Sequence, residues 1–136
     1  MHLKDLEKKK IREKIKESLF NDAEVVFAFV HGSFLEDGQF NDIDVAVYLD
    51  ESSIQSLDKV DYEISQSIKL EKKLNIPVDV KILNDAILSF RYQSTRGHLL
   101  FSRDEARYEE FLCRTWSEYF DFKPVSEIYL KETLSG

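Results

Sequence analysis

Apolar and polar residues alternate along this chain with two different periods, and the changes of period mark its elements. Leu3, Leu6, Ile11, Ile15 and Leu19 recur close to helical spacing, with lysines and glutamates between them as a solvated face. The run AEVVFAFVHG (23–32) breaks that period. It is continuously apolar and ends in glycine, the pattern of a strand covered on both sides. In IDVAVYLD (43–50) the alternation is twofold: Asp44, Ala46 and Tyr48 share one face, and Ile43, Val45, Val47 and Leu49 the other. From 53 to 74, Ile54, Leu57, Val60, Ile64, Ile68 and Leu74 predict one long amphipathic helix, ended by Asn75 and Pro77. VDVKIL (78–83) alternates again, with Asp79 and Lys81 on one face. Asn84 is suited to cap a helix through about Ser94, and HLLFS (98–102) reads as a fourth strand after Gly97. Ser102 and Glu105 form a capping-box pattern ahead of a helix from Asp104 to about Phe120, with Tyr108, Phe111, Leu112, Thr115 and Tyr119 on its apolar face. Beyond Pro124, residues 125–134 predict one or two last helical turns.

The order helix, strand, strand, helix, strand, helix, strand, helix predicts an α/β (α+β) fold. Its simplest form is a small mixed sheet with helices packed mainly on one face. A chain of 136 residues is expected to form one domain over 1–136, with a helical C-terminal part (104–136) as a candidate partner-binding region. The formal net charge of -7 argues against sequence-independent nucleic-acid binding, which needs a basic face. It leaves room for a nucleotide held through a cation, because a bound cation reverses the local sign of a site. Cys113 is the single cysteine, so neither an internal disulfide nor a cysteine cage for a metal is expected; it reads as a small core residue. The highly charged MHLKDLEKKKIREK start is unlike a signal peptide, and no apolar run approaches a membrane span. A cytoplasmic protein is expected.

The candidate chemistry lies in HGSFLEDGQFNDID (31–44). Residues i and i+2 of a strand point to one face, so Asp42 and Asp44 are placed to converge on one cation or on a pair of them. Magnesium suits oxygen ligands and keeps waters and substrate phosphates in its shell. If the third strand lies beside the second, Asp79 joins the same cluster. Three unpaired carboxylates would repel one another, and metal binding is the natural way to hold them. A D-x-D alone is more often a solvated strand start, and a Gly-Ser alone more often a helix cap. Here the two occur together: an apolar strand ending in Gly32-Ser33, a loop, then D-x-D opening the next apolar strand. Glycine lets the backbone approach a phosphate, and a serine opening a turn offers a hydroxyl and amides.

VFAFVHGSFLEDGQFNDIDVAVYL resembles the signature of the DNA polymerase β-type nucleotidyltransferase superfamily: Gly-Ser, a loop, then Asp-hydrophobic-Asp-hydrophobic. With Asp79 as third carboxylate the pattern spans about residues 25–83. The short length and LNDAILSFRYQSTRGHLLFSRDEARYEEF downstream resemble the minimal nucleotidyltransferases (MNT proteins), encoded beside small helical HEPN proteins. The resemblance implies the nucleotidyltransferase fold, ATP as substrate and Mg2+, two ions, as cofactor. It implies that Asp42 and Asp44 ligate metal, that Asp79 is the third carboxylate and helps activate the acceptor, and that Gly32 and Ser33 cradle the triphosphate. It further implies an antitoxin that adenylylates a tyrosine of a HEPN ribonuclease toxin and forms a hetero-oligomer with it.

Two other readings follow from the same residues. One is a non-catalytic antitoxin whose acidic balance masks a basic partner by stoichiometric contact. The other is an aminoglycoside-type enzyme acting on a small molecule. The loop itself departs from many relatives: Phe34, Leu35, Glu36 and Asp37 follow Ser33, and two acids there must point away from a triphosphate. His31 reads first as a structural histidine, Lys81 as an ion-pair partner of Asp79, and Arg91 and Arg96 as surface or partner contacts. Most of Tyr108, Phe111, Trp116, Tyr119, Phe120 and Phe122 is accounted for by packing, and the excess, with Tyr129, is suited to a protein partner.

Overall fold

The computed structural model describes residues 3–120. Four strands form one mixed sheet in the order β3-β2-β1-β4, with β1 (Val25–His31), β2 (Ile43–Leu49), β3 (Val78–Ile82) and β4 (His98–Ser102). β1 pairs antiparallel with both β2 and β4, and β2 pairs parallel with β3. The parallel step requires a crossover, supplied by α2 (Glu51–Ile54) and α3 (Lys59–Leu74). The chain opens with α1 (Asp5–Phe20); α4 (Leu88–Thr95) precedes β4, and α5 (Glu105–Tyr119) follows it.

The α+β class read from the sequence stands, and the helices are spread more widely than expected. On one face Val45, Val47, Leu49, Val80 and their neighbours pack with Ile15 and Leu19 of α1 and Tyr62 and Leu70 of α3. On the other, Phe27, Phe29 and Ala46 pack with Phe111 of α5 and Phe90 of α4. The cause is in β1: its seven residues are all buried, so both faces of the central strand need cover. β2 is asymmetric as its alternation foretold, with Ile43, Val45, Val47 and Leu49 all in the first core.

Local caps move several boundaries. The long helix of 53–74 is two helices, because Asp50 accepts from the Ser52 N–H to start α2 and Asp58 accepts from the Asp61 N–H to start α3. Asn75 ends α3 in the left-handed conformation (φ 57°), as its identity suggested. Asn84 caps no helix. Its side chain bonds both the N–H and the carbonyl of Leu49 (2.9 and 2.8 Å), extending the sheet edge by one side-chain amide. α5 is capped by Asp104, which accepts from the Arg107 N–H, while the Ser102 hydroxyl is buried with no partner among the described residues. Cys113 is exposed rather than core, because it lies off the Phe111–Thr115 face of α5. Arg91 is a strut rather than a surface group: it donates to the Ala86 carbonyl and to Glu118, tying α4 to α5. The expected helical turns at 125–134, with Phe122 and Tyr129, lie outside the described residues.

β3 is an edge strand, and α3 closes its free side. Glu71, Ser67 and Glu63, one helical turn apart, accept from the backbone N–H groups of Val78, Val80 and Ile82 at 3.1, 2.9 and 2.8 Å. Side chains thereby occupy donors that would otherwise template another strand. This fixes β3, and so Asp79, against α3.

Candidate active site

The register brings the sequence-marked acids together. His31 of β1 pairs with Asp44 of β2, and Asp44 pairs with Asp79 of β3. Directly paired residues project from the same face, so His31, Asp44 and Asp79 form a row across three adjacent strands. Asp42 stands just ahead of β2. Strands are spaced ~4.8 Å apart, which puts neighbouring carboxylates within reach of one small cation.

Electrostatics register the crowding. The Asp44 carboxyl is pushed above the usual carboxylate range, first by burial and then by the charges of Asp42 and Asp79. His31 is held below the ordinary imidazole value by burial, partly opposed by the charge of Asp79. Its ring packs edge-on against Phe90 at 5.3 Å, and its Nε2 has no hydrogen-bond partner among the described residues. Lys81 lies 3.9 Å from Asp79, with both side chains half exposed, so it neutralises little of that charge.

Gly32 explains why the turn can sit against the acids. Its φ is +82°, where a side chain is strained, and a Cβ there would collide with the Asp44 carboxylate. Ser33 then begins one 3-10 turn, Ser33–Leu35, in which the Leu35 and Glu36 N–H groups bond the Gly32 and Ser33 carbonyls. Gly97 does a similar service behind the row: a Cβ on it would lie 2.8 Å from that of His31. We expect Gly32→Ala to lower stability by ~1–3 kcal/mol through backbone strain alone. It should also displace Asp44, so a thermal melt and a nucleotide-binding titration should both show the loss.

The row opens on a groove of ≈ 560 Å³ beside Asp79, lined among others by Lys59, Lys81, Ile82, Ile87 and Phe90. The groove has apolar walls and three acids, Glu63, Asp79 and Asp85, with Lys59 paired to Asp85 and Lys81 to Asp79. Among the described residues, no three His, Cys, Asp or Glu side chains form a ready-made metal cage. The donor chemistry fits magnesium nonetheless: all three acids supply oxygen ligands, and Gly32 leaves room at Asp44. No helix among the described residues is long and apolar enough to cross a membrane.

The sequence marked Gly32, Ser33, Asp42, Asp44 and Asp79 as candidates; the register puts Asp44 and Asp79 side by side, with Asp42 just ahead of β2. His31, read first as structural, is buried against Phe90, and strand parity with Phe27 and Phe29 puts it on the Asp44 face.

Residues 13–106, more than half of the chain, match the family model described as Polymerase beta, Nucleotidyltransferase. The chain belongs to the polymerase β-type nucleotidyltransferase family. The matched span contains every acid and glycine of the site. No curated protein matches the chain in sequence. Among solved structures, this nucleotidyltransferase fold is shared with a chain of the tri-AMPylated Shewanella oneidensis HEPN toxin in complex with MNT antitoxin, at TM-score 0.67 and 20% identity, over 93% of this chain and 98% of that one. The toxin-antitoxin MntA-HepT matches at TM-score 0.64 and 20% identity, over 92% and 98%. A toxin-antitoxin structure with AMP-PNP matches at TM-score 0.66 and 20% identity, over 90% and 98%. At that identity the likeness is one of fold.

Proposed function

We propose that this chain is a magnesium-dependent nucleotidyltransferase that moves AMP from ATP to a tyrosine hydroxyl of a HEPN-type partner, and so acts as an antitoxin. The observation that carries the reading is the cross-strand pair Asp44–Asp79, with Asp42 beside it and Gly32 shaped around the Asp44 carboxylate. Family membership supports transfer of a nucleotide. The AMPylated toxin and the AMP-PNP complex among the structural neighbours support adenylylation and a HEPN partner.

In this reading Asp42, Asp44 and Asp79 would hold magnesium, which would supply charge neutralisation for the triphosphate. Gly32 and Ser33 contact the phosphates. Asp79, half exposed to the groove, takes the acceptor proton. The acceptor oxygen bonds the α-phosphorus, the bond from that phosphorus to the bridging oxygen breaks, and pyrophosphate leaves. Glu36 and Asp37 follow the 3-10 turn, and Asp37 is exposed. Nucleotidyl transfer depends on positioning and charge neutralisation more than on covalent chemistry, which suits so small a site.

A radiolabel separates the steps. Label in the α-phosphate of ATP should pass to the partner protein, and label in the γ-phosphate should leave as pyrophosphate. Equal absence of both from the partner would remove the transfer reading.

An exposed apolar surface on α3 supports a second reading, neutralisation by binding alone. Val60, Ile64 and Ile68 form an exposed apolar stripe one turn apart on α3, which suits contact with a protein. A tight complex that survives Asp42→Asn/Asp44→Asn with no modified partner would support it.

A further inference from the structure

We propose that Lys8 is a positioning residue: from α1 it clasps the loop between Ser33 and Asp42, and so sets the turn and the first aspartate of the site. In sequence Lys8 is one of a run of lysines on a helix that reads as solvated. In the fold it is 5% exposed. An ammonium so placed is costly unless its donors and charge are met. Here Nζ donates to the Glu36 carbonyl at 2.7 Å and lies 5.6 and 5.5 Å from the ring centroids of Phe34 and Phe40. Both distances suit attraction of a cation to the ring faces.

The two rings close the loop on itself. Phe34 and Phe40 meet edge to face at 5.0 Å, and both are buried. Phe34 directly follows Ser33, and Phe40 stands two residues before Asp42. Between them Gly38 adopts φ +110° in open space, so the loop tip has little packing of its own to hold it. Lys8 therefore grips both ends and one carbonyl of a segment whose flanks are the functional residues. The clasp orients the loop so that the site-facing groups keep their places while Asp37 stays outward.

The test compares Lys8→Met, which keeps the stem and loses the charge, with Lys8→Arg, which keeps the charge. Ile15→Val, a core change on the same helix away from the loop, serves as the stability control. Amide hydrogen exchange over 34–42 should quicken by about tenfold in Lys8→Met and recover in Lys8→Arg. Affinity for a non-hydrolysable ATP analogue with magnesium should fall by about tenfold in Lys8→Met alone. Ile15→Val should lower the melting temperature and change neither. Unchanged exchange over 34–42 in Lys8→Met would overturn the clasp. Faster exchange with unchanged affinity would overturn its role in the site. The affinity arm rests on the nucleotidyl-transfer reading and the exchange arm does not. Wild-type protein that binds no nucleotide would count against that reading, while exchange still decides the clasp.

Discussion

Asp44→Asn should reduce nucleotidyl transfer by about a hundredfold to a thousandfold, ~3–4 kcal/mol of transition-state stabilisation, without lowering the melting temperature. The two halves of that expectation have one origin. Asp44 is the middle of the acidic row, paired with Asp79 across β2–β3 and pressed against the Gly32 turn. Burial and the neighbouring charges of Asp42 and Asp79 already disfavour its ionised form. An amide of the same shape removes one partly desolvated negative charge from a set of three, so the fold loses no favourable interaction and sheds repulsion. The proposed reaction needs what stability does not: an anionic oxygen ligand at the centre of the row. Steady-state transfer and a thermal melt on the same variant check both halves. A variant that transfers normally would remove Asp44 from the chemistry. One that melts many degrees lower would make the residue structural.

Phe27→Ala should be the most damaging single truncation to the fold, at ~3–5 kcal/mol and roughly 10–20 °C in melting temperature. Phe27 is fully buried at the centre of the second face. Its ring stacks on Tyr48 at 4.7 Å and meets Phe29, Tyr108 and Phe111 at 6.0, 5.4 and 5.2 Å. Tyr48 and Phe111 also touch each other, so removing the central ring leaves a cavity walled by rigid groups that cannot collapse into it. That cluster is what holds α5 on the sheet. The same face carries the acidic row at its other end, so the loss should reach the site. Chemical denaturation of Phe27→Ala beside Phe27→Leu measures the effect, and the leucine variant should recover much of the loss because it refills part of the space.

Much of the sheet was legible because strands report themselves by parity. Asp44, Ala46 and Tyr48 were assigned one face and Val45, Val47 and Leu49 the other, and the two cores divide them that way. Parity made Asp79 a neighbour of Asp44 only if the third strand lay beside the second, and the parallel β2–β3 pairing meets that condition. What parity could not convey was pairing between strands far apart in the chain. Leu49 binding Asn84 and the edge of β3 being closed by Glu63, Ser67 and Glu71 are tertiary choices among residues that would serve equally well as caps or surface groups. Buried polar groups were hardest to find. Lys8 sits in a charged helix, and only the rings and the carbonyl brought to it by the fold show that it is inside; Arg91, partly buried, shows its role only through its bonds to the Ala86 carbonyl and Glu118. The break between α2 and α3 was missed because apolar spacing runs through it, while Asp50 and Asp58 each provide a cap that spacing does not weigh. Packing was expected to account for most of the aromatics of α5, and Phe111 is buried, but Trp116, Tyr119 and Phe120 stay exposed even though Tyr119 stacks on Tyr92 at 3.6 Å and Trp116 donates to the Thr95 hydroxyl.

The central claim is that the acids of β2 and β3 serve transfer of a nucleotide to a partner protein. Intact mass of a HEPN-type partner, after incubation with this chain, ATP and magnesium, tests it most directly, with Asp42→Asn/Asp44→Asn alongside. The account predicts a gain of one or more AMP groups on the partner with wild-type protein and none with the variant. An unmodified partner in a stable complex with both proteins would contradict it and leave the acidic row as an inherited scaffold.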